Sequence, residues 1–310
     1  MLQFFAASAP IFAVVALGFA TARLRLVAPQ GFAAFAAYAF NLALPALMTG
    51  MLARQPLGRA FEPRFFAALL VAGLAIFVAV AVLSSALGRA GLAVAGSHAQ
   101  AATGGNQAFL GVPLMLAVVG ERATGPIAMV ILAEVGILMP IGLACMGLGN
   151  PRAGASRDLP AVLARATLLN PIVLGVAAGA VLGLLGISLP SPVDRFLSFL
   201  GGSAGPVALF ALGGTLAGQR LGAGWKPVLG LVVAKLVVYP ALAWLLLRAA
   251  GLGPDWVASG TLLAGLPTAA YAFVFAQRFE AAPERISAGI LLSTLLGAVS
   301  FPLTAWLVLP

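Results

Sequence analysis

The chain has 310 residues, of which 62% are hydrophobic and only 8% charged, and its formal charge is +9; a soluble domain carries roughly 25% charged residues. So small a charged fraction cannot cover a water-facing surface, which excludes a soluble globular fold and leaves lipid as the main surroundings. The basic residues stand singly between apolar runs, without a stripe or interleaved aromatics, so the charge reads as positive membrane loops and not as a nucleic-acid surface.

A bilayer-spanning helix takes about 20 apolar residues. The apolar runs here are continuous, which excludes a transmembrane barrel built of short alternating segments. The first run, 4–22, has no basic segment before it and is followed by Arg23 and Arg25. That order fits a retained helix with its amino end outside. Further spans are expected at 31–52, 65–88, 93–119 and 124–149. A polar stretch with Pro151, Pro160 and several charges fills 150–165, and five more spans follow at 168–188, 196–218, 227–250, 256–277 and 285–309. The expected organisation is a first five-helix repeat over 1–149, a cytoplasmic connecting loop over 150–165 and a second repeat over 166–310.

Five spans per half make the second half enter the membrane from the opposite face, so a repeat must be inverted. Prolines mark one. Pro45 matches Pro206, Pro140 matches Pro302, and Gly111-Val112-Pro113 matches Gly265-Leu266-Pro267, at offsets of 161, 162 and 154. With the amino end outside, the inner loops hold 10 Lys and Arg residues: Arg23, Arg25, Arg89, Arg152, Arg157, Arg165, Arg220, Lys226, Arg278 and Arg285. The outer loops hold 6, namely Arg54, Arg59, Arg64, Arg122, Arg195 and Arg248. This bias fits a multi-pass protein of the cytoplasmic (inner) membrane.

A proline in a membrane helix removes a backbone donor, and a glycine beside it lets the chain open. Interrupted segments at matching places in two halves point to the midplane site of a carrier. They place half-helix amino ends, with free N–H groups and partial positive charge, where a carboxylate would bind. Span four is polar here (Ser97, His98, Gln100, Thr103, Asn106, Gln107) and span nine carries Thr261, Thr268 and Tyr271. The residues singled out for substrate are therefore Asn106, Gly111, Pro113, Gly265, Pro267, Thr268 and Tyr271. Asn41, beside Pro45, lines the same cavity or only packs.

Glu134 and Lys235 lie inside spans five and eight. A charge at a helix centre costs about 2.5–3.5 kcal/mol on insertion scales, so each needs a partner or a task. Either they pair and lock the bundle, or Glu134 binds a coupling proton or cation while Lys235 attracts the anion. His98 reads as a hydrogen-bonded histidine. Cys145, inside an apolar run, reads as a small packing residue. Gly175, Gly179 and Gly183, spaced by four, form a face for close helix contact. No metalloprotease motif, phosphate loop or cysteine–histidine cluster is present, so neither an enzyme nor a cofactor or metal site is expected.

Taken together, these segments resemble the auxin efflux carrier family, which includes plant auxin exporters and bacterial transporters of malonate and related carboxylates. The resemblance is carried by Gly265-Leu-Pro-Thr-Ala-Ala-Tyr-Ala-Phe-Val-Phe-Ala-Gln-Arg-Phe-Glu280, Ile286-Ser-Ala-Gly-Ile290 and Ser300-Phe-Pro-Leu-Thr304. Asn106-Gln-Ala-Phe-Leu-Gly-Val-Pro113 with Gly120-Glu121, Asn41-Leu-Ala-Leu-Pro45, Asn170-Pro171 and Lys235-Leu-Val-Val-Tyr-Pro240 add to it. It implies an all-α membrane protein of ten transmembrane helices, built as two inverted five-helix repeats. Helices four and nine would be broken and cross at their prolines, with Asn106, Pro113 and Pro267 at the substrate carboxylate. Plant members have a long central loop and tend to carry glutamine where this chain has Thr268.

The expected activity is alternating-access transport of a small organic anion. The partners are that carboxylate, the lipid bilayer, a coupled proton or sodium ion, and a second copy of the chain. The alternatives are a sodium-coupled symporter of the related bile-acid type and a non-transporting membrane receptor.

Overall fold

The computed structural model describes residues 1–55, 61–150, 158–219 and 225–309. Residues 151–157 of the 150–165 connection, together with Arg59, Arg152, Arg157 and Arg220 of the charge count, lie outside the described residues, as does the side chain of Lys226, whereas Leu159–Thr167, which begins within the expected loop, is helical. The described residues are overwhelmingly helical. They form α1 (Leu2–Arg23), α2 (Pro29–Ala53), α3 (Pro63–Gly88), α4 (Leu92–Thr103), α5 (Gln107–Val118), α6 (Gly120–Gly149), α7 (Leu159–Thr167), α8 (Pro171–Leu184), α9 (Ser191–Leu216), α10 (Pro227–Ala249), α11 (Pro254–Ala264), α12 (Tyr271–Arg278) and α13 (Pro283–Val308).

Sequence dictates many of these boundaries. Pro29, Pro63, Pro171, Pro254 and Pro283 open their helices, where the ring supplies a helical φ and the missing N–H costs nothing. Asn170 caps α8, its Oδ1 accepting from the amides of Ile172 at 3.0 Å and Val173 at 3.4 Å. Prolines farther inside leave a second signature. Four π-helical turns, Ala39–Ala43, Gln107–Gly111, Glu134–Leu138 and Ala234–Val238, each end two residues before Pro45, Pro113, Pro140 or Pro240. A proline ring strikes the carbonyl one turn earlier, and a wider turn with one extra residue relieves that clash without ending the helix.

Seven helices (α1, α2, α3, α6, α9, α10 and α13) are long and apolar enough to cross a membrane. Counting α7 and α8 as one span makes eight, and α5 is a shorter apolar helix. Their outward side chains are apolar, including Leu17, Val78, Val82, Leu245 and Leu307, as a lipid-facing surface requires. The chain is thus an all-helical multi-pass membrane protein.

It divides into two compact units, each drawing helices from both sides of the 150–165 stretch. The first comprises Met1–Pro63, Gln107–Met129 and Leu169–Gly218. Its helices meet backbone to backbone through glycines. A Cβ on Gly175 would lie 2.7 Å from the Pro45 carbonyl oxygen, and one on Gly179 2.7 Å from that of Thr49. Gly18 likewise lies against the Phe210 carbonyl, and Gly213 against that of Val15. Phe32 and Phe210 stack at 5.4 Å beside this seam.

The second unit comprises Arg64–Asn106, Val130–Leu168 and Gln219–Pro310. Its apolar core gathers Met139, Leu143 and Met146 of α6 with Leu159, Phe279 and Ala281. The half-buried Cys145 packs against Gly96, whose added Cβ would lie 2.5 Å from that of the cysteine. Most of the buried polar side chains are in this unit as well.

Candidate functional site

Two helices of the second unit stop where their sequences can no longer sustain them. After Thr103, the Gly104-Gly105-Asn106 segment leaves the helix, since consecutive glycines hold it poorly. After Ala264 the chain unwinds over 265–270, because Pro267 cannot donate and disfavours helix at Leu266. The two unwound segments pair. Gly105 and Thr268 form an isolated antiparallel bridge, with the Asn106 amide donating to the Pro267 carbonyl at 2.8 Å and the Ala269 amide to the Gly104 carbonyl at 3.1 Å. Backbone groups released by each break are thereby satisfied by the other.

Side chains finish the accounting. Thr268 Oγ1 donates to the Ala101 carbonyl at 2.9 Å, taking up one of the acceptors left over at the end of α4. The Thr268 amide donates to Ser293 Oγ of α13 at 3.1 Å. Gly297, one turn on, lets α13 approach the break, since a Cβ there would lie 2.5 Å from Pro267 Cγ.

Glu134 spans both breaks. Its Oε2 accepts from the Gly105 amide at 3.1 Å and its Oε1 from the Tyr271 hydroxyl at 2.6 Å, while Gln100 Nε2 donates to that hydroxyl at 3.2 Å. The carboxylate thus faces a free backbone N–H at the first break and the opening residue of α12 at the second. Lys235 serves the other end of the unwound segment. Its ammonium is fully buried and donates to the Ala264 carbonyl, the carboxyl end of α11, at 2.7 Å, with the Tyr239 ring 4.8 Å away. The ammonium meets the negative, carboxyl end of the α11 dipole.

The structure therefore brings Asn106, Pro267, Thr268, Tyr271, Glu134 and Lys235 into one buried network of the second unit, with Gly265 ending α11. Gly111, buried, and Pro113, half-buried, lie in the first unit, on the π turn and α5 that follow the break. Asn41 also belongs to the first unit. It is exposed, and its amide donates to the Ala37 carbonyl of its own helix at 2.8 Å. His98 is hydrogen-bonded through Nδ1 to Ser84 Oγ at 3.0 Å. Gln100, Tyr239 and Ser293 carry parts of the network that sequence reasoning did not assign to it. The spacing of Lys235 and Tyr239, four residues apart on one helix face, is the signal that reveals the second. Ser293 has none.

Comparison with known proteins fits this arrangement. The family model described as "Membrane transport protein" matches the chain twice, over residues 3–156 and 155–305. The chain belongs to this family. It is the auxin efflux carrier family to which the motifs point. Among curated proteins, the "Putative malonate transporter" of Rhizobium meliloti is 32% identical over 296 residues, covering 94% of this chain and 91% of that protein. The "Uncharacterized transporter YfdV" of Escherichia coli is 25% identical over 201 residues, covering 63% of this chain and 62% of its own. The chain is accordingly a membrane transporter of the auxin efflux carrier family, and its two broken helices lie in the segments that carry the family's likeness.

Proposed function

We propose that the chain is a secondary carrier of small carboxylates, working by alternating access in the cytoplasmic membrane with its amino end outside. The observation that carries the proposal is the paired break. Two unwound segments, one from each side of the 150–165 stretch, meet at Gly105 and Thr268 beside a buried carboxylate and a buried ammonium. Discontinuous helices of this kind hold substrate near the midplane of secondary transporters. Counting α4 with α5, α7 with α8 and α11 with α12 as single spans gives ten among the described residues, organised as two inverted five-helix repeats over 1–149 and 166–310, with α7 leading into the second from within the 150–165 stretch. The relative named for malonate supports a small carboxylate as cargo.

In this reading Asn106 and the amino ends beyond the breaks bind the carboxylate, with Gly111 and Pro113 shaping the first, Gly265, Pro267, Thr268 and Tyr271 the second, and Asn41 in the access path. Glu134 holds the breaks together and is the candidate for a coupled proton. A monovalent anion gains about 2.3 kcal/mol per 100 mV on leaving a cell that is negative inside, so export needs no coupling and import does.

The test is flux of labelled malonate and related carboxylates into liposomes holding the purified protein, with potential and pH gradient imposed separately. Saturable flux that Asn106→Ala weakens sharply is the expected result. No flux of any carboxylate, with binding retained, would return the chain to the receptor reading. Glu134→Gln should flatten the pH dependence of flux, and an unchanged pH profile removes Glu134 from coupling.

A further inference from the structure

Lys235 is the most costly side chain in the second unit. An ammonium with no exposed surface has lost its hydration entirely, and the wider turn Ala234–Val238 that carries it places it at one point only. What it meets there has the composition of a cation site. The Ala264 carbonyl at 2.7 Å is the carboxyl end of a half-helix, where the helix dipole is negative. The Tyr239 ring presents its face at 4.8 Å, within range of cation–π attraction. In carriers with discontinuous helices, exposed carbonyl ends of this kind coordinate free coupling cations, and a lysine head group is a compact point charge suited to replace one.

We propose that the Lys235 ammonium is a tethered substitute for a coupling cation: it fills a monovalent-cation position formed by the Ala264 carbonyl and the Tyr239 ring. The position is permanently occupied because its occupant is part of the chain. The transporter therefore needs neither sodium nor potassium to close the unwound end of α11, and this is what separates it from a sodium-coupled symporter. Removing the ammonium while leaving the carbonyl and the ring opens a site for a free monovalent cation. The transport arm of the test rests on the carrier reading given above, whereas the binding arm does not.

The experiment compares the wild type with Lys235→Ala and Lys235→Met, purified in choline chloride, and follows melting temperature as sodium, potassium or ammonium chloride is titrated in at constant ionic strength. The wild type should melt at the same temperature in every salt. Lys235→Ala should melt well below it in choline and shift upward with the logarithm of the concentration of at least one small cation, as a ligand bound only by the folded state requires. Lys235→Met, whose apolar chain refills the space, should show no such shift. In liposomes the same cation should restore part of the carboxylate flux that Lys235→Ala loses. Stoichiometric sodium binding to the wild type overturns the proposal. So does a Lys235→Ala protein that is indifferent to all three cations, or that cannot be isolated in any of them. A cation-dependent shift without flux in any variant keeps the site and rejects the carrier reading; flux without a shift does the reverse.

Discussion

The two units solve the same problem, holding helices together where no water drives them, by different means. In the first, glycine does the joining: Gly18, Gly175, Gly179, Gly201 and Gly213 each bring a neighbouring backbone to within contact distance of their missing Cβ. In the second, glycine contacts such as Gly149 on the Ala93 backbone recur, and buried polar groups are added to them. Of the seventeen buried polar or charged side chains among the described residues, thirteen lie in the second unit, including Glu134, Lys235, Gln100, Asn106, Thr268 and Ser293. Glycine seams depend on shape alone and have no alternative partners. A hydrogen-bonded junction of unwound segments can exchange partners with a ligand, which is what a carrier needs at one place and must avoid elsewhere.

The comparison breaks most severely at Glu134. Glu134→Ala removes the acceptor of both Tyr271 and the Gly105 amide. Each buried donor left without its acceptor costs about 1–3 kcal/mol, so the variant should lose a large part of its thermal stability in detergent. If it melts with the wild type, the junction is not held by this carboxylate. Tyr271→Phe is the milder version, deleting only the hydroxyl between Gln100 and Glu134. A hydrogen bond to a charged group is worth about 1.5–3 kcal/mol. Because both variants cut the same bond, a double-mutant cycle should show the two losses to be strongly non-additive.

Gly18→Ala tests the other unit. Its new methyl would meet the Phe210 carbonyl, a backbone atom that cannot rotate away. Overpacking of this kind costs about 1–3 kcal/mol. The loss should appear in the melting temperature and leave the affinity for substrate in the folded fraction unchanged. A Gly18→Ala protein with altered affinity would show that the seam is not only structural.

Much of this was legible before any coordinates, for identifiable reasons. Gly265-Leu266-Pro267 announces its break because glycine and proline act on the backbone locally, whereas the first break, expected at Gly111-Val112-Pro113, lies at Gly104-Gly105-Asn106, because a π turn absorbs Pro113 without ending the helix. Glu134 and Lys235 stand out because a charge in an apolar run is costly whatever surrounds it. Gly175 and Gly179 read as a contact face because their spacing alone puts them there. What could not be read is which residue meets which. That Thr268 seeks the Ala101 carbonyl and Ser293, or that Gln100 reaches Tyr271, depends on tertiary pairing across more than 150 residues in two of those three cases. The π turns before Pro45, Pro113, Pro140 and Pro240 fall between: proline predicts a disturbance one turn earlier, and only the structure tells a wider turn from a kink.

Asn41 gives the smallest effect and the sharpest test of the contrast. It lies in the unit joined by glycine seams, in the π turn before Pro45, and its amide is exposed with its one hydrogen bond turned back to Ala37. A primary amide offers more donors and acceptors than one bond uses, and leaving the rest against hydrocarbon is unfavourable. The position is explained if its exposed side faces a water-filled path and not lipid. Asn41→Ala should then change stability by no more than about 0.5 kcal/mol while raising the KM for carboxylate flux and leaving kcat in place, the pattern of lost uniform binding. An unchanged KM would leave the amide no task in the access path and confine substrate recognition to the paired breaks. A fall in kcat with KM constant would instead place Asn41 in the conformational step, and the first unit would then contribute more to transport than a frame of close-packed glycines.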